Sequence, residues 1–164
     1  MAPFLALGVP RSSVTFGHVV ADECARLGIA VEDYLGRYDT SLAPPYPGAA
    51  ELVLRLDRWA VCSNKVRWAG EAELARLGWA PEVALFAEDF AGAPKSVLPV
   101  LERMGVDPAT VVFVGDTAHD RRCALEAGVS FALAGWNPRA TAEDGDLVLA
   151  SPLELLAFLA FSAE

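Results

Sequence analysis

From residue 46 onward, short apolar runs alternate with stretches of helical spacing, and few folds accommodate such an alternation. The apolar runs are 59–63, 83–87, 111–114, 129–133 and 147–149. Runs that are apolar at successive positions are typical of strands covered on both faces, as in a parallel sheet. The helical patterns around them are 48–57, 67–77, 94–104, 118–127 and 152–161. The sequence therefore predicts a doubly wound α/β fold: a Rossmann-like, three-layer α/β/α core with a parallel sheet.

The first 45 residues follow a different pattern. Apolar positions from Phe16 to Leu27 have helical spacing, and Val31 to Tyr38 suggests a second short helix. The proline-rich stretch 41–47 cannot continue a helix and reads as a connector. We therefore predict a small helical cap over residues 1–45 and an α/β core over 46–164.

Glycines mark the predicted helix ends. In 77–81 and 104–108 a glycine directly follows a helical pattern and a proline comes shortly after it. This arrangement predicts a left-handed helix cap at Gly78 and at Gly105, since glycine adopts that conformation without strain. Leu7-Gly8-Val9-Pro10 has the same form, so the first residues resemble the end of a helix.

Composition limits the partners and the compartment. The 164 residues carry a formal charge of −9 and show no basic stripe, which argues against a nucleic-acid surface. The apolar C-terminal stretch is interrupted by Ser151, Pro152 and Glu154, so it is predicted to be a strand and a helix rather than a membrane span. Three cysteines without a C-x-x-C pair predict a reduced, cytoplasmic protein.

Polar residues follow the predicted strands at their carboxyl ends, where doubly wound sheets place ligands. Ser63-Asn64-Lys65 comes directly after the run ending at Cys62. A hydroxyl and backbone N–H groups at the start of the helix predicted from Arg67 are suited to hold a phosphate. The same residue types also serve as ordinary helix N-caps, and the sequence leaves both readings open.

Lys95 is the second candidate. It follows Pro94, a residue suited to the first turn of a helix. An ammonium group is a compact charge that matches a phosphoryl group, although most lysines are simply solvated. Only two of the 13 basic residues are lysines, Lys65 and Lys95, and both lie in predicted strand-end loops. The preference for arginine at the other basic positions favours a functional role for these two lysines.

The third candidate is Gly115-Asp116, with Asp120 four residues later, directly after the run 111–114. The glycine permits a tight turn, and the two carboxylates lie on one side of a first helical turn. Such a pair can hold a hard cation such as Mg²⁺. The same pattern would arise from an aspartate that caps the helix, followed by a second aspartate whose charge interacts favourably with the helix dipole. His119 lies between them and reads as solvated or structural.

The Ser63 loop, Lys95 and the Asp116 turn follow one another on successive βα units. A chain with these segments in this order resembles the haloacid dehalogenase superfamily, particularly its phosphoglycolate-phosphatase-like members. The resemblance covers about residues 46–161 and includes Tyr46-Pro47-Gly48 and Gly135-Trp136-Asn137. It implies Mg²⁺-dependent hydrolysis of a small phosphorylated molecule, with no nucleic acid or membrane involved.

The resemblance also implies roles for individual residues. Asp116 would bind the metal, and Asp120 would support the metal site or Lys95. Ser63 and Asn64 would bind the phosphoryl group, while Lys95 would neutralise that group and the attacking carboxylate.

One expected feature is missing. The superfamily carries an Asp-x-Asp pair after its first strand, and the first aspartate attacks phosphorus. Residues 1–45 contain Asp22, Asp33 and Asp39, none followed by Asp two positions later. Asp22 follows an apolar run, but the surrounding spacing is helical, so we do not assign it as the nucleophile.

Two explanations stay open. The segment 4–7 could be a degenerate first strand, with Gly8 and Pro10 in place of the two aspartates. Alternatively, Met1 lies inside a longer reading frame that encodes the missing strand. The Leu-Gly-Val-Pro pattern favours this second explanation.

Both explanations predict a chain without phosphatase activity and with a weak or absent Mg²⁺ site, because neither glycine nor proline can attack phosphorus. The alternative function is a non-catalytic phosphate-binding or protein-interaction module. A missing central strand would also leave a slot beside the strand ending at Val114. We expect another segment, a strand-completing partner or a second copy in a homodimer to fill it.

Overall fold

The computed structural model describes residues 1–15 and 19–161. Within them the chain forms helices and strands in mixed order, which confirms the α/β class. The helices are α1 (Ala2–Ala6), α2 (Val20–Leu27), α3 (Val31–Leu35), α4 (Ala49–Arg55), α5 (Arg67–Leu77), α6 (Leu98–Met104), α7 (Ala118–Ala127) and α8 (Glu154–Phe161). The strands are β1 (Ala60–Cys62), β2 (Val83–Leu85), β3 (Val112–Gly115), β4 (Ser130–Ala134) and β5 (Leu147–Leu149).

Most boundaries agree with the sequence prediction to within a few residues. The predicted left-handed caps are confirmed at Gly78, with φ 67°, and at Gly105, with φ 63°. The helix predicted from residue 94 begins only at Leu98, so Pro94 and Lys95 lie in the preceding loop rather than in its first turn. Phe16, part of the predicted N-terminal helix pattern, lies outside the described residues.

Two compact units make up the chain. One comprises Met1–Ala43, Val61–Ala80 and Leu85–Lys95; the other comprises Pro44–Ala60, Pro81–Ala84 and Ser96–Glu164. The division into a cap at 1–45 and a core at 46–164 stays a prediction.

In the second unit, β3, β4 and β5 form a parallel sheet in that order. Alternation along the strands places Val112, Val114 and Ala132 on one face, where they pack in a cluster with Leu52 of α4 and Leu155 of α8. The opposite face carries Phe131, and the guanidinium of Arg121 on α7 lies 5.3 Å from the centre of its ring. Helices therefore cover both faces of this sheet, as a doubly wound fold requires.

The strands differ in how deeply they are buried. All residues of β1 and β3 are only half-buried, whereas Ala132, Leu133 and Ala134 of β4 are buried. Strand β4 has a neighbour on each side, while among the described residues β3 pairs with β4 and β1 pairs with β2. The proposed degenerate strand at 4–7 is wrong, since α1 occupies that segment.

In the first unit, the N-terminal helices build a core of their own. Phe4, Val14, Cys24 and Tyr34 are buried together, and the rings of Phe4 and Tyr34 lie 4.6 Å apart. Burial raises the pKa of Tyr34 to about 12, so its hydroxyl stays protonated. The predicted helical character of this segment is thus supported by a packed apolar cluster.

Glu23 is the one buried carboxylate of this N-terminal segment among the described residues. Its oxygens accept hydrogen bonds from the backbone N–H and the hydroxyl of Thr15, at 2.6 and 2.8 Å, and from Nε of Arg26 at 2.8 Å. The Arg26 guanidinium is the main cause that lowers the pKa of Glu23 to about 2. This network joins α2 to the residues that precede it.

We expect Glu23→Gln to lower the free energy of unfolding at pH 7 by roughly 1.5–3 kcal/mol, because it weakens charge-assisted hydrogen bonds. Because folding lowers the pKa of Glu23, its contribution to stability is complete at pH values above the ordinary pKa of 4.5. This contribution is lost as the pH falls through the folded-state pKa of about 2. Urea unfolding of wild type and variant between pH 7 and pH 2 measures the difference, which should shrink below pH 4.5. A difference that stays constant would contradict the assignment; Glu32→Gln, at an exposed position on α3, is the control.

Among the described residues, no helix combines the length and the apolar character needed to cross a bilayer. Cys24, Cys62 and Cys123 are not joined by disulfide bonds.

Candidate functional site

The loop after β1 holds its residues through backbone-directed hydrogen bonds. The Ser63 N–H donates to the Leu85 carbonyl at 3.0 Å, which extends the pairing of β1 with β2 by one residue. The Lys65 N–H then donates to the Ser63 hydroxyl oxygen at 3.1 Å, closing a tight turn. Because this oxygen already accepts a hydrogen bond, the Ser63 O–H proton can be directed outward to an anion.

Lys95 lies against this loop. Its N–H donates to Oδ1 of Asn64 at 3.1 Å, and its ammonium lies 3.5 Å from the carbonyl oxygen of Cys62, the last residue of β1. Asn64 and Lys95 are 31 positions apart, so the tertiary fold brings them together. The structure thus places Ser63, Asn64 and Lys95 in one region of the first unit.

The start of α5 differs from the N-cap alternative that the sequence left open. Its N-cap is Val66, without a side-chain hydrogen bond, so neither Ser63 nor Asn64 caps the helix. The Arg67 N–H instead donates to the Glu88 carboxylate, at 2.9 and 3.1 Å, and the Arg67 guanidinium pairs with Asp89 at 2.7 Å. A carboxylate therefore already occupies the position where the helix was expected to receive a phosphate.

The second predicted group lies at the carboxyl end of β3. The N-cap of α7 is Thr117, not Asp116: the Thr117 hydroxyl oxygen accepts from the Asp120 N–H at 3.2 Å. Asp120 is buried, and its Oδ2 accepts from the N–H groups of Asp116 and Thr117, both at 3.0 Å, and from the Thr117 hydroxyl at 2.7 Å. Asp120 therefore fixes the turn that presents Asp116.

Gly115 is needed for space rather than for a tight turn. Its φ lies outside the left-handed region, and a Cβ built on it would overlap the Cβ and Cγ atoms of Asp120. The glycine lets the buried carboxylate approach the end of β3. The sequence identified the right residue but not its physical role.

Asn137 is a site residue to which the sequence assigned no role. It follows β4, is 5% exposed, and its side-chain amide donates a hydrogen bond to Oδ2 of Asp116. The Arg139 N–H donates to Oδ1 of Asn137 at 3.1 Å and orients the amide. A buried asparagine shortly after a strand end was the available signal, because an amide in such a place needs partners.

Hydrogen bonds engage some of the carboxylate oxygens that a Mg²⁺ ion would use here. Carboxylate oxygens suit Mg²⁺, but Oδ2 of Asp120 is engaged by three donors and Oδ2 of Asp116 by Asn137. In the described part of the chain, no three His, Cys, Asp or Glu side chains are grouped so that they could hold a metal ion.

Neither Asp22 nor the Asp144–Asp146 segment directly follows a strand in the structure. Asp22 lies exposed in the first turn of α2. The sequence contains an Asp-x-Asp pattern at Asp144 and Asp146, but it leads into β5 instead of following a strand. Asp146 pairs with Arg121 at 2.5 Å, and this hydrogen bond lowers the pKa of the carboxyl group. Its role is to hold the loop before β5 against α7.

His119 fits the structural reading. It lies in the first turn of α7, and its Nε2 is 3.7 Å from the sulfur of Cys123, one turn further along. This is a helix-internal i,i+4 contact that does not involve either aspartate.

Comparison with known families gives one match to a family model. The model, described as haloacid dehalogenase-like hydrolase, matches residues 15–128. The match includes the Ser63 loop, Lys95 and the Asp116 turn.

Curated relatives include phosphatases of small molecules. A phosphoglycolate phosphatase of Xanthomonas campestris pv. campestris is 28% identical over 160 residues, which cover 87% of this chain and 71% of the relative. An N-acetylmuramic acid 6-phosphate phosphatase of Pseudomonas aeruginosa is 32% identical over 114 residues, covering 62% of this chain and 50% of that protein.

Solved structures show the same fold. A Lactobacillus plantarum protein, provisionally described as a phosphoglycolate phosphatase, superposes with a TM-score of 0.72 at 25% identity and covers 94% of this chain and 86% of its own. A HAD-superfamily hydrolase of subfamily IA from Geobacter sulfurreducens gives a TM-score of 0.64 at 20% identity, with 96% and 85% covered.

Proposed function

The chain belongs to the haloacid dehalogenase-like hydrolase family, and from that premise we propose that it binds the phosphoryl group of a small phosphomonoester without hydrolysing it. The family and the relatives make the protein phosphatase-like. By lineage the reaction is Mg²⁺-dependent hydrolysis. The proposal for this chain is narrower, because Ser63, Asn64 and Lys95 are candidate phosphate ligands and the sequence has no Asp-x-Asp pair in residues 1–45.

The contact of Lys95 with the Ser63–Asn64 loop carries the proposal. The Lys95 backbone is fixed by Asn64, and its ammonium lies near the end of β1, beside the Ser63 hydroxyl turn. A hydroxyl donor and an ammonium on a rigid strand end provide the hydrogen bond and the charge that a phosphate dianion requires.

Asp116 and Asp120 have different roles in this proposal. Asp120 is a positioning residue that holds the turn, and Asp116 is the carboxylate offered to a cation. Alone they bind Mg²⁺ weakly, because a stable site needs more oxygen ligands than one carboxylate provides.

Calorimetric titration with inorganic phosphate tests the proposal. We expect saturable binding to the wild type and at least a tenfold weaker affinity for Lys95→Met, because the variant leaves the anion without its counter-charge. Arg103→Met removes the same charge from an exposed position on α6 and should leave the affinity unchanged. Absence of saturable binding to the wild type, or equal affinities of wild type and Lys95→Met, would refute the proposed site.

A second role, in protein interaction, is favoured by the sheet. All four residues of β3 are half-buried although two of them contribute to the core of the second unit. We propose that a strand from a second copy of the chain completes the sheet that contains β3. Light scattering during gel filtration should then give the mass of a dimer at micromolar concentration. A monomeric wild type would contradict this role.

A reduced, cytoplasmic location completes the proposal. It is supported by the three cysteines, which are 38 or more positions apart and carry no bridge.

A further inference from the structure

Glu73 joins two segments that the sequence does not connect. It lies on α5, and its side chain is 14% exposed. The Tyr38 hydroxyl donates to Oε1 at 3.0 Å, and the Lys65 ammonium pairs with Oε2. Each carboxylate oxygen thus contacts a different part of the first unit: the N-terminal helical segment and the loop after β1. A sparsely exposed carboxylate with two charge-assisted bonds is strongly constrained in position.

The Lys65 backbone carries this constraint into the loop. Its N–H donates to the Ser63 hydroxyl oxygen at 3.1 Å, and its carbonyl accepts from the Ala87 N–H at 3.0 Å. The side chain and backbone of Lys65 are therefore held at three points. Because the Ser63 oxygen takes its acceptor bond from this N–H, the direction of the remaining O–H depends on the position of Lys65.

Tyr38 anchors the other end of the contact. Its ring lies 5.9 Å from that of Tyr34 and stands edge-on to Trp68 at 5.7 Å. Burial, followed by the nearby Glu73 charge, raises the pKa of Tyr38, so its hydroxyl remains a donor. Trp68 is 44% exposed and therefore provides a fluorescent reporter beside the contact.

We propose that Glu73 is a positioning residue for phosphate binding: it holds Lys65, and through Lys65 the Ser63 hydroxyl, and Tyr38 couples this loop to the N-terminal helical segment. The inference rests on the proposed phosphate-binding role of Ser63. In this inference the Lys65 ammonium pairs with the Glu73 carboxylate, and Lys95 neutralises the charge of the phosphate.

Amide hydrogen exchange, followed by NMR on the full chain, tests the positioning without any ligand. In Glu73→Gln the Lys65 amide should exchange about tenfold faster, because the loss of a charge-assisted bond frees the loop. The interior amides of α5 should be unchanged. Glu71→Gln is the matched control: this residue lies two positions earlier on the same helix, is 58% exposed and pairs with Arg67 at 3.6 Å. An unchanged rate at Lys65 in Glu73→Gln would overturn the inference.

Titration with inorganic phosphate, followed by Trp68 fluorescence, tests the consequence for binding. We expect Glu73→Gln to weaken the affinity five- to tenfold and Tyr38→Phe to weaken it by a smaller factor, with Glu71→Gln unchanged. Trp68→Phe identifies the signal of this tryptophan. Equal or tighter binding by Glu73→Gln would show that a released Lys65 serves the phosphate and would overturn the positioning role.

The two measurements separate the two proposals. A wild type that fails to bind phosphate refutes the proposed function, while the exchange rate at Lys65 still decides whether Glu73 positions the loop. A wild type that binds phosphate with no dependence on Glu73 or Tyr38 supports the proposed function and refutes this inference.

Discussion

The purified 164-residue chain should release phosphate from phosphomonoesters no faster than the buffer does, with or without Mg²⁺. Enzymes accelerate such reactions by factors of about 10⁶ or more, so the expected difference from an active phosphatase is very large. The reason is chemical: phosphoryl transfer through a covalent intermediate requires a positioned carboxylate. The rate of phosphate release from phosphoglycolate and from p-nitrophenyl phosphate at millimolar Mg²⁺ tests this expectation.

The placed aspartates support this expectation. Asp22 is exposed on α2, Asp146 is paired with Arg121, and Asp116 accepts a hydrogen bond from Asn137. Asp116→Asn is the control, since any trace activity in the wild type should persist in it if a contaminant is responsible. Mg²⁺-dependent turnover that disappears in Asp116→Asn would contradict the prediction and identify this chain as an active hydrolase.

The second large effect concerns Asp120. Replacing it with alanine removes the acceptor of three donors: the N–H groups of Asp116 and Thr117 and the Thr117 hydroxyl. Donors left buried without a partner each cost about 1–3 kcal/mol, and we expect a total loss of roughly 3–4 kcal/mol in the free energy of unfolding after relaxation. For a chain of this length, the thermal midpoint should fall by about 6–16 °C.

Circular dichroism during heating measures this midpoint. Asp107→Ala is the matched control: the Asp107 carboxylate accepts a hydrogen bond from the Ala109 N–H at 2.9 Å, at an exposed turn. Its loss should cost only about 1 kcal/mol. If Asp120→Ala melts at the wild-type temperature, the buried carboxylate is not a structural cap, and its role would have to be ligand binding.

Local patterns account for what could be predicted about the candidate site. Ser63 and Asn64 follow an apolar run directly, Lys95 is one of two lysines in predicted strand-end loops, and the ends of parallel strands lie at one edge of a sheet. The contact between Lys95 and Asn64 agrees with that rule. Asn137 received no role because its partner, Asp116, lies 21 positions away and no local pattern encodes the pair.

The order and type of the elements follow from the sequence alone, because hydrophobic period and glycine caps act over a few residues. Gly78 and Gly105 end their helices for reasons contained within one turn of chain. Tertiary structure decided everything that depends on a distant partner. In the folded chain, the Glu88 carboxylate binds the N-terminus of α5 and the Glu73 carboxylate binds the Lys65 ammonium. The residues of β3 are left half-buried. Burial and pairing are properties of neighbours in space, and only the folded chain determines which residues those are.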